Sequence, residues 1–380
     1  METVHSTIKI REIHAKQDVE KFLRFGFRVY ADNSAWVPPL LEDTRRFLLG
    51  EGLFYDHCRH RLWVAEEEGQ IVATLAAFCD ENFQKHWNQR AGFLGFFEAL
   101  PEKPEAVREL FEAGEEYLRQ EGADFVYAPF NGYMANPLGL LVSAVNSYEA
   151  TPIFLMPYNP SYYQDYLARL GYQQEKELIA YRMNLTDHTV AAQVDHFVQA
   201  AKNSPVRIEK FSKKAFARET ERLSNIYSKT FQTHWGYAPQ SAAEFAEIIS
   251  PFRSILDPDL ILFAVHEGQT IGFTICVPDY NPIVRKLQGN VNWLGGLPFL
   301  LQMRGLREAR LIAIGVLNEW RGKDIAPNLA AHAFHHMRQK GYRQCEYSWV
   351  LKENHASRRV AEKFGGVDYR DYAVYSKKLV

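Results

Sequence analysis

These residues predict an α/β chain made of two tandem copies of one mixed-sheet unit, and three observations carry that prediction. Glu68-Gly69-Gln70-Ile71-Val72-Ala73 recurs 199 residues later as Glu267-Gly268-Gln269-Thr270-Ile271-Gly272. Trp36 and Trp235 fall at the same spacing. Each copy then offers a long helix with one small or apolar stripe, at Val107, Leu110, Phe111, Gly114, Leu118 and at Ala326, Leu329, Ala330, Ala333, Met337. A fixed-period repeat of this length marks a duplicated structural unit.

The elements follow in the same order in both halves. Residues 16–48 and 214–250 read as mostly helical. Each is followed by a β-hairpin, because Leu62-Trp63-Val64-Ala65 and Ile261-Leu262-Phe263-Ala264 precede the repeat and Val72–Phe78 and Ile271–Val277 follow it. One more strand precedes each long helix, whose stripe has the i, i+3, i+4, i+7 spacing of a face laid on a sheet. Asp124–Pro129 and Gln344–Val350 read as the next strands. Shorter helices end in glycine at Gly171 and Gly365, and closing strands lie near Leu178–Leu185 and Tyr369–Leu379. The expected division is 1–186 and 205–380, with 187–204 a linker carrying a helix.

Composition narrows the class. The chain has 380 residues, 47% hydrophobic and 24% charged, as expected of globular domains. Its net charge of −2 gives no electrostatic footprint for nucleic acid. No run approaches the ~20 apolar residues that span a bilayer, and the N-terminus does not read as a secretory signal. Cys58, Cys79, Cys276 and Cys345 are scattered without a CxxC pair, and read as buried, reduced residues of a cytoplasmic protein.

The segment with chemical promise is Leu311-Ile312-Ala313-Ile314-Gly315-Val316-Leu317-Asn318-Glu319-Trp320-Arg321-Gly322-Lys323-Asp324-Ile325-Ala326. An apolar strand runs into a basic, glycine-containing loop that opens a helix. Backbone N–H groups and the helix dipole at such a place favour phosphate. Arg321 and Lys323 add charge. Asp324 is either a carboxylate beside the anion or the side-chain cap of the helix. Pro327 suits the first turn but supplies no N–H.

This stretch resembles the signature of the GNAT acyltransferase superfamily: a strand, then Arg or Gln, two residues, Gly, one residue, Gly or Ala. Arg321 and Ala326 fill the outer positions, and Asp324 replaces the central Gly. Downstream, Trp349-Val350-Leu351-Lys352-Glu353-Asn354 leading to Phe364-Gly365 resembles the family's second motif. The chain as a whole resembles a tandem two-domain member. The resemblance implies that the fourth strand of the second half splays from the fifth. It implies that pantetheine bonds the backbone near Ile314, Gly315, Val316 and Leu317, and that the diphosphate sits on Arg321, Gly322, Lys323, Asp324, Ile325 and Ala326, with Asn354 nearby. The donor it implies is acetyl-CoA or another acyl-CoA, and the acceptor a small amine or amino acid attacked directly.

Catalytic candidates in that half are Glu346 and Glu319 as the base, and Ser348, Tyr372 or Tyr375 as the acid. In the family a Tyr seven residues after the Asn often protonates the thiolate; here that position is Ala361. His332, His335 and His336 share a helix flank without a carboxylate or Cys beside them in sequence, so they read as an exposed face and no metal is expected. The equivalent loop of the first half, Gly95–Glu105, holds two prolines and three glutamates. It is expected not to bind CoA and to leave that half walling the acceptor pocket. Phe130–Gly139 is either a turn cluster or a lip of that pocket. The insertion Asn281–Gly305 is a pocket cap, a domain or dimer contact, or a membrane-surface segment. The rival functions are a non-catalytic binding protein that kept the fold, and an acyltransferase using a long-chain or non-CoA donor such as aminoacyl-tRNA.

Overall fold

The structure, a computed structural model, describes residues 7–144, 147–291 and 302–379. They form two compact units. The first comprises Met1–Glu177, Val284–Val291 and Tyr372–Val380, and the second Leu178–Ile283 and Asn292–Asp371.

The first unit contains β1 (Ile8–Ile13), α1 (Lys16–Val29), α2 (Leu41–Leu48), β2 (Cys58–Glu67), β3 (Gln70–Asp80), α3 (Glu81–Trp87), β4 (Ala91–Ala99), α4 (Pro104–Gln120), β5 (Phe125–Ala128), β6 (Leu140–Ala144) and α5 (Tyr163–Arg169). Strands β1 to β5 neighbour one another in chain order. The β2–β3 hairpin turns on Glu68 and Gly69, both at positive φ (50° and 76°), as a two-residue turn matched to strand twist requires. Leu110, Phe111 and Leu118 of α4 are at most 1% exposed against this sheet. Burial stabilises each by roughly 1.5–3 kcal/mol. Gly114 belongs to the same stripe because a Cβ there would lie 2.8 Å from Leu94 Cδ2.

The second unit takes β7 (Gln173–Asn184) from Leu178 onward, then α6 (His188–Ala201), β8 (Arg207–Lys210), α7 (Phe216–Phe231), α8 (Ala242–Ile249), β9 (Ile261–His266) and β10 (Gln269–Pro278). After α9 (Asn281–Lys286) come β11 (Glu308–Val316), α10 (Ile325–Gln339), β12 (Gln344–Leu351), α11 (His355–Lys363) and β13 (Val367–Lys378). Its strand order is β7-β12-β11-β10-β9-β8. Leu329, Ala330, Ala333 and Met337 of α10 are fully buried on it. The second hairpin turns on Glu267 and Gly268 at φ 48° and 81°.

Two features differ from expectation. Residues 187–204 do contain a helix, capped by Asp187 accepting from Thr189 N–H at 2.8 Å, but it is part of a core rather than a free linker. Val190, Val194 and Phe197 are buried, and Phe197 meets Phe364 at 5.6 Å. Second, the closing strands are exchanged. Leu178 to Asn184 pair with β12, from Leu178↔Leu351 to Asn184↔Gln344. The end of the chain pairs with β5, from Tyr375↔Ala128 to Lys378↔Phe125. Ala373, Tyr375 and Leu379 complete the first core. Hydrophobic patterning does not distinguish these partners, because either closing strand satisfies either edge.

The described part of the 281–305 insertion also joins the first unit, where Leu41 N–H donates to Gly289 O at 3.0 Å and Arg285 to Ala35 O at 3.2 Å. The apolar stretch Asn292–Leu301 lies outside the described residues. Among those residues, no helix is long and apolar enough to cross a membrane.

Because the first unit needs the chain's last strand, residues 1–177 alone are expected to melt without a cooperative transition. The same fragment extended by a short flexible linker into 372–380 is expected to regain one. Circular dichroism melts of both fragments check this.

Candidate active site

β11 and β12 pair in parallel from Glu308↔Gln344 only as far as Leu311↔Tyr347. Beyond that point β12 stays with β7, at Val350↔Ile179, while β11 stays with β10 as far as Gly272↔Val316. The two strands part. Leu317 N–H donates to Ile271 O at 2.9 Å, so antiparallel alternation directs the backbone of Leu317, Gly315 and Ala313 to β10. The backbone groups of Ile314 and Val316 then face the opening. Of the four strand residues expected to meet a ligand, Ile314 and Val316 therefore offer main-chain groups, whereas Leu317 N–H is committed to β10. Gly315 answers to packing: a Cβ there would lie 2.4 Å from Thr230 Oγ1 and 2.6 Å from Phe273 Cε1.

Past the strand, Asn318–Trp320 makes one 3₁₀ turn that leaves Glu319 exposed. Arg321, Gly322, Lys323 and Asp324 are exposed as well, with Gly322 at φ 76°. Lys323 Nζ lies 4.6 Å from the Trp320 ring. Asp324 occupies the cap position of α10, but its side chain does not cap. Its left-handed backbone (φ 54°, ψ 17°) departs from the extended cap conformation that brings an oxygen back over the first turn. It pairs instead with Lys363 at 3.3 Å. The first bond onto the helix is Asn328 N–H to Asp324 O at 3.0 Å. Ile325 and Ala326 N–H thus have no intrahelical acceptor and lie at the positive end of a 15-residue helix.

Beneath the opening lies a buried polar network that includes two of the catalytic candidates. Glu346 and Ser348 are 3% and 2% exposed. Arg310 Nε donates to Ser348 Oγ at 3.0 Å, Ser348 Oγ donates to Glu346 Oε1, and Tyr369 O–H donates to Glu346 Oε2. Both carboxylate oxygens are therefore occupied. Arg310 was not anticipated; an arginine inside the apolar run Ala309–Ile314 was the available signal.

The other candidates lie elsewhere. Tyr375 belongs to the first unit, paired with Ala128, and so does Tyr372. The last strand thus completes the half that does not encode it. Asn354 caps α11, its Oδ1 accepting from Ser357 N–H at 3.1 Å. Ala361 is buried in the second core. His332 Nδ1 bonds Asn328 O at 2.8 Å and His335 faces Asp195 at 3.8 Å, and burial lowers the pKa of His332 and His336. Among the described residues no three ligating side chains gather as for a metal. All four cysteines are buried and free, and burial pushes their thiols up, Cys276 to about 12.

The first unit has the same parting of strands, but it is filled. β4 and β5 pair only from Ala91↔Phe125 to Phe93↔Tyr127. Phe130 N–H then donates to Leu94 O at 2.8 Å, and Phe96 N–H to Asn131 Oδ1 at 2.6 Å. A Cβ on Gly95 would lie 2.4 Å from Phe130 O. The loop after β5 is held by its own amides, with Asn131 Nδ2 on Pro137 O and Asn136 Nδ2 on Asn131 O. It is a turn cluster that plugs the gap. The stretch expected as a loop from Gly95 is strand as far as Ala99.

At the end of that strand, Glu98 was also not anticipated. Its Oε2 accepts from Tyr30 O–H at 2.8 Å and Tyr163 O–H at 2.7 Å. Burial raises its pKa to about 7, against the two hydroxyl donors that lower it. The folded state therefore holds a proton that the unfolded state releases between about pH 4.5 and 7, so this group costs stability as pH rises through that window, by roughly 3 kcal/mol once complete. Glu98→Gln, which does not titrate, is expected to raise Tm relative to the native protein at pH 8 and not at pH 5. Asn354→Ala is expected to cost about 1 kcal/mol through the lost helix cap, read from denaturant unfolding.

Residues 220–366 match the acetyltransferase (GNAT) family model. The chain is 27% identical to Protein YghO of Escherichia coli over 97% of its length and 95% of that protein's. It is 26% identical to a bacterial ceramide synthase of Caulobacter vibrioides over 100% of its length and 99% of that protein's. In fold it is similar to a tandem GNAT protein from the clavulanic acid biosynthesis pathway, with a TM-score of 0.59 at 12% identity, covering 98% and 99% of the two chains.

Proposed function

Starting from a tandem GNAT chain whose second half belongs to the acetyltransferase (GNAT) family, we propose that this protein transfers an acyl group from an acyl-CoA to an amine. The observation that carries the reading is the opening between β11 and β12, which leads straight to the uncapped N-terminus of α10. Backbone groups of Ile314 and Val316 form one edge on which an amide-bearing pantetheine adds as a short strand. Gly322, Lys323, Ile325 and Ala326 present N–H groups to a diphosphate, with Arg321 and Lys323 supplying charge. Asp324, drawn to Lys363, leaves the helix end uncovered by any side-chain cap.

Attack on the thioester needs an uncharged amine, whose ammonium form must first give up a proton. Glu319, exposed where β11 ends, is the acceptor assigned to that proton. Glu346 has both oxygens occupied and holds Ser348, which also accepts from Arg310. The thiolate leaves without a dedicated tyrosine, since Ala361 is buried at that position. The first unit, its gap plugged by Asn131, is assigned no CoA.

A second reading concerns chain length. Because one relative over the full length is a bacterial ceramide synthase, and a ceramide is a long-chain amide, a long-chain acyl donor or amine acceptor is favoured over a small pair.

Isothermal titration with CoA, acetyl-CoA and palmitoyl-CoA tests donor binding. Saturable binding is expected, weakened about tenfold by Arg321→Ala, the loss of one charge-assisted contact of about 1.4 kcal/mol. Absence of binding at millimolar ligand refutes the reading. Thiol release with a panel of short and long amines then reports the acceptor, and Glu319→Gln is expected to lower kcat about a hundredfold.

A further inference from the structure

We propose that Glu98 is the recognition point for a cationic amine in the first unit. Of the two ends of the carboxyl group, only one is committed. Oε2 accepts both the Tyr30 and the Tyr163 hydroxyls, while Oε1 has no donor among the described residues. No Lys, Arg or His pairs with it among those residues, and a partly buried carboxylate without a counter-charge is costly, so it keeps its proton to higher pH unless a ligand brings that charge. The residue as a whole is half-buried.

The surroundings suit an ammonium in a second way. Tyr30 at the end of α1, Tyr158, and Tyr162 and Tyr163 at the start of α5 gather their rings there. Tyr30 lies 5.9 Å from Tyr158, and Tyr162 lies 5.2 Å from Tyr163. Tyr30 also stacks on Trp36 at 4.9 Å. A cation is attracted over the face of such a ring. The tyrosines are held from behind: Tyr163 O–H accepts from Ala99 N–H at 2.6 Å, Tyr162 O–H donates to Ala99 O at 2.8 Å, and Tyr158 O–H accepts from Asn33 Nδ2 at 2.8 Å. From β3, Thr74 stands opposite Glu98 in register and bonds Phe96 O.

The ligand is thus a primary amine bound as its ammonium ion, whose N–H groups reach Oε1. Since Glu98 titrates near pH 7, binding strengthens as the carboxylate forms and releases a proton at lower pH. The ligand class rests on the amine-acceptor reading above, but the test needs no CoA, so failure here and failure of donor binding are separate results.

Hexylammonium is titrated calorimetrically into the full chain at pH 6 and pH 8, in buffers of different ionisation heat, with hexanol as the uncharged control. Saturable binding of the amine and none of the alcohol is expected. Affinity should be tighter at pH 8, with net proton release at pH 6. Glu98→Gln should weaken binding at least tenfold while melting cooperatively. Tyr30→Phe, which removes one donor to the ionised form, should move the pH midpoint of binding upward. Binding unchanged in Glu98→Gln, equal at the two pH values, or not saturable below tens of millimolar overturns the assignment.

Discussion

A strand that loses its neighbour halfway along leaves main-chain donors and acceptors with nothing to bond, and the interior of a protein tolerates that only where something else comes to fill the place. In the second unit β11 stays on β10 to Val316 but loses β12 after Leu311. The helix start at Ile325, the glycine at 322 and the bases at 321 and 323 are all reached from that unpaired edge within a few residues. Arg310, Ser348, Glu346 and Tyr369 fix the point at which the strands begin to separate, tying β11 to β12 by side chains where the ladder is about to end. The geometry of a binding groove here is a consequence of one interrupted ladder.

The first unit solves the same problem with its own atoms. Asn131 supplies Oδ1 to Phe96 N–H, and Phe130 supplies an N–H to Leu94 O. Gly95 permits this close approach, which a side chain would block. A duplicated fold has thus kept the interrupted ladder twice, filled it internally once, and left it open once. What the filled copy retains is the end of its fourth strand, where Glu98 sits among tyrosines rather than among bases.

Much of this architecture was legible from residue order. The two hairpins, the striped helices and the apolar strands follow from periodicity and from Glu-Gly pairs that must adopt positive φ. The parting of β11 and β12 entered through a resemblance, and the register agrees with it. Other features were not legible, for physical reasons. The destination of Tyr375 depends on pairing with a strand roughly 250 residues away, and one apolar strand suits either edge. Asp324 had the right identity for a cap, but its backbone is left-handed and its charge goes to Lys363. Residues 187–204 looked polar enough to be a linker, yet three apolar positions, Val190, Val194 and Phe197, anchor them to a core. Glu98 was invisible because nothing in its neighbours' sequence reveals that Tyr30 and Tyr163 converge on it.

The exchanged closing strands also set a timetable. On a ribosome the edge of β5, Phe125–Ala128, emerges long before Tyr375–Lys378, which alone completes its pairing on that side. At ~5–20 residues per second the wait is roughly ten seconds to a minute. Through that interval the N-terminal half carries an open sheet edge of the kind that invites pairing with other chains. Tolerance of this chain to slow translation or rare codons is therefore limited by Tyr375–Lys378, which lie far in sequence from the half they finish.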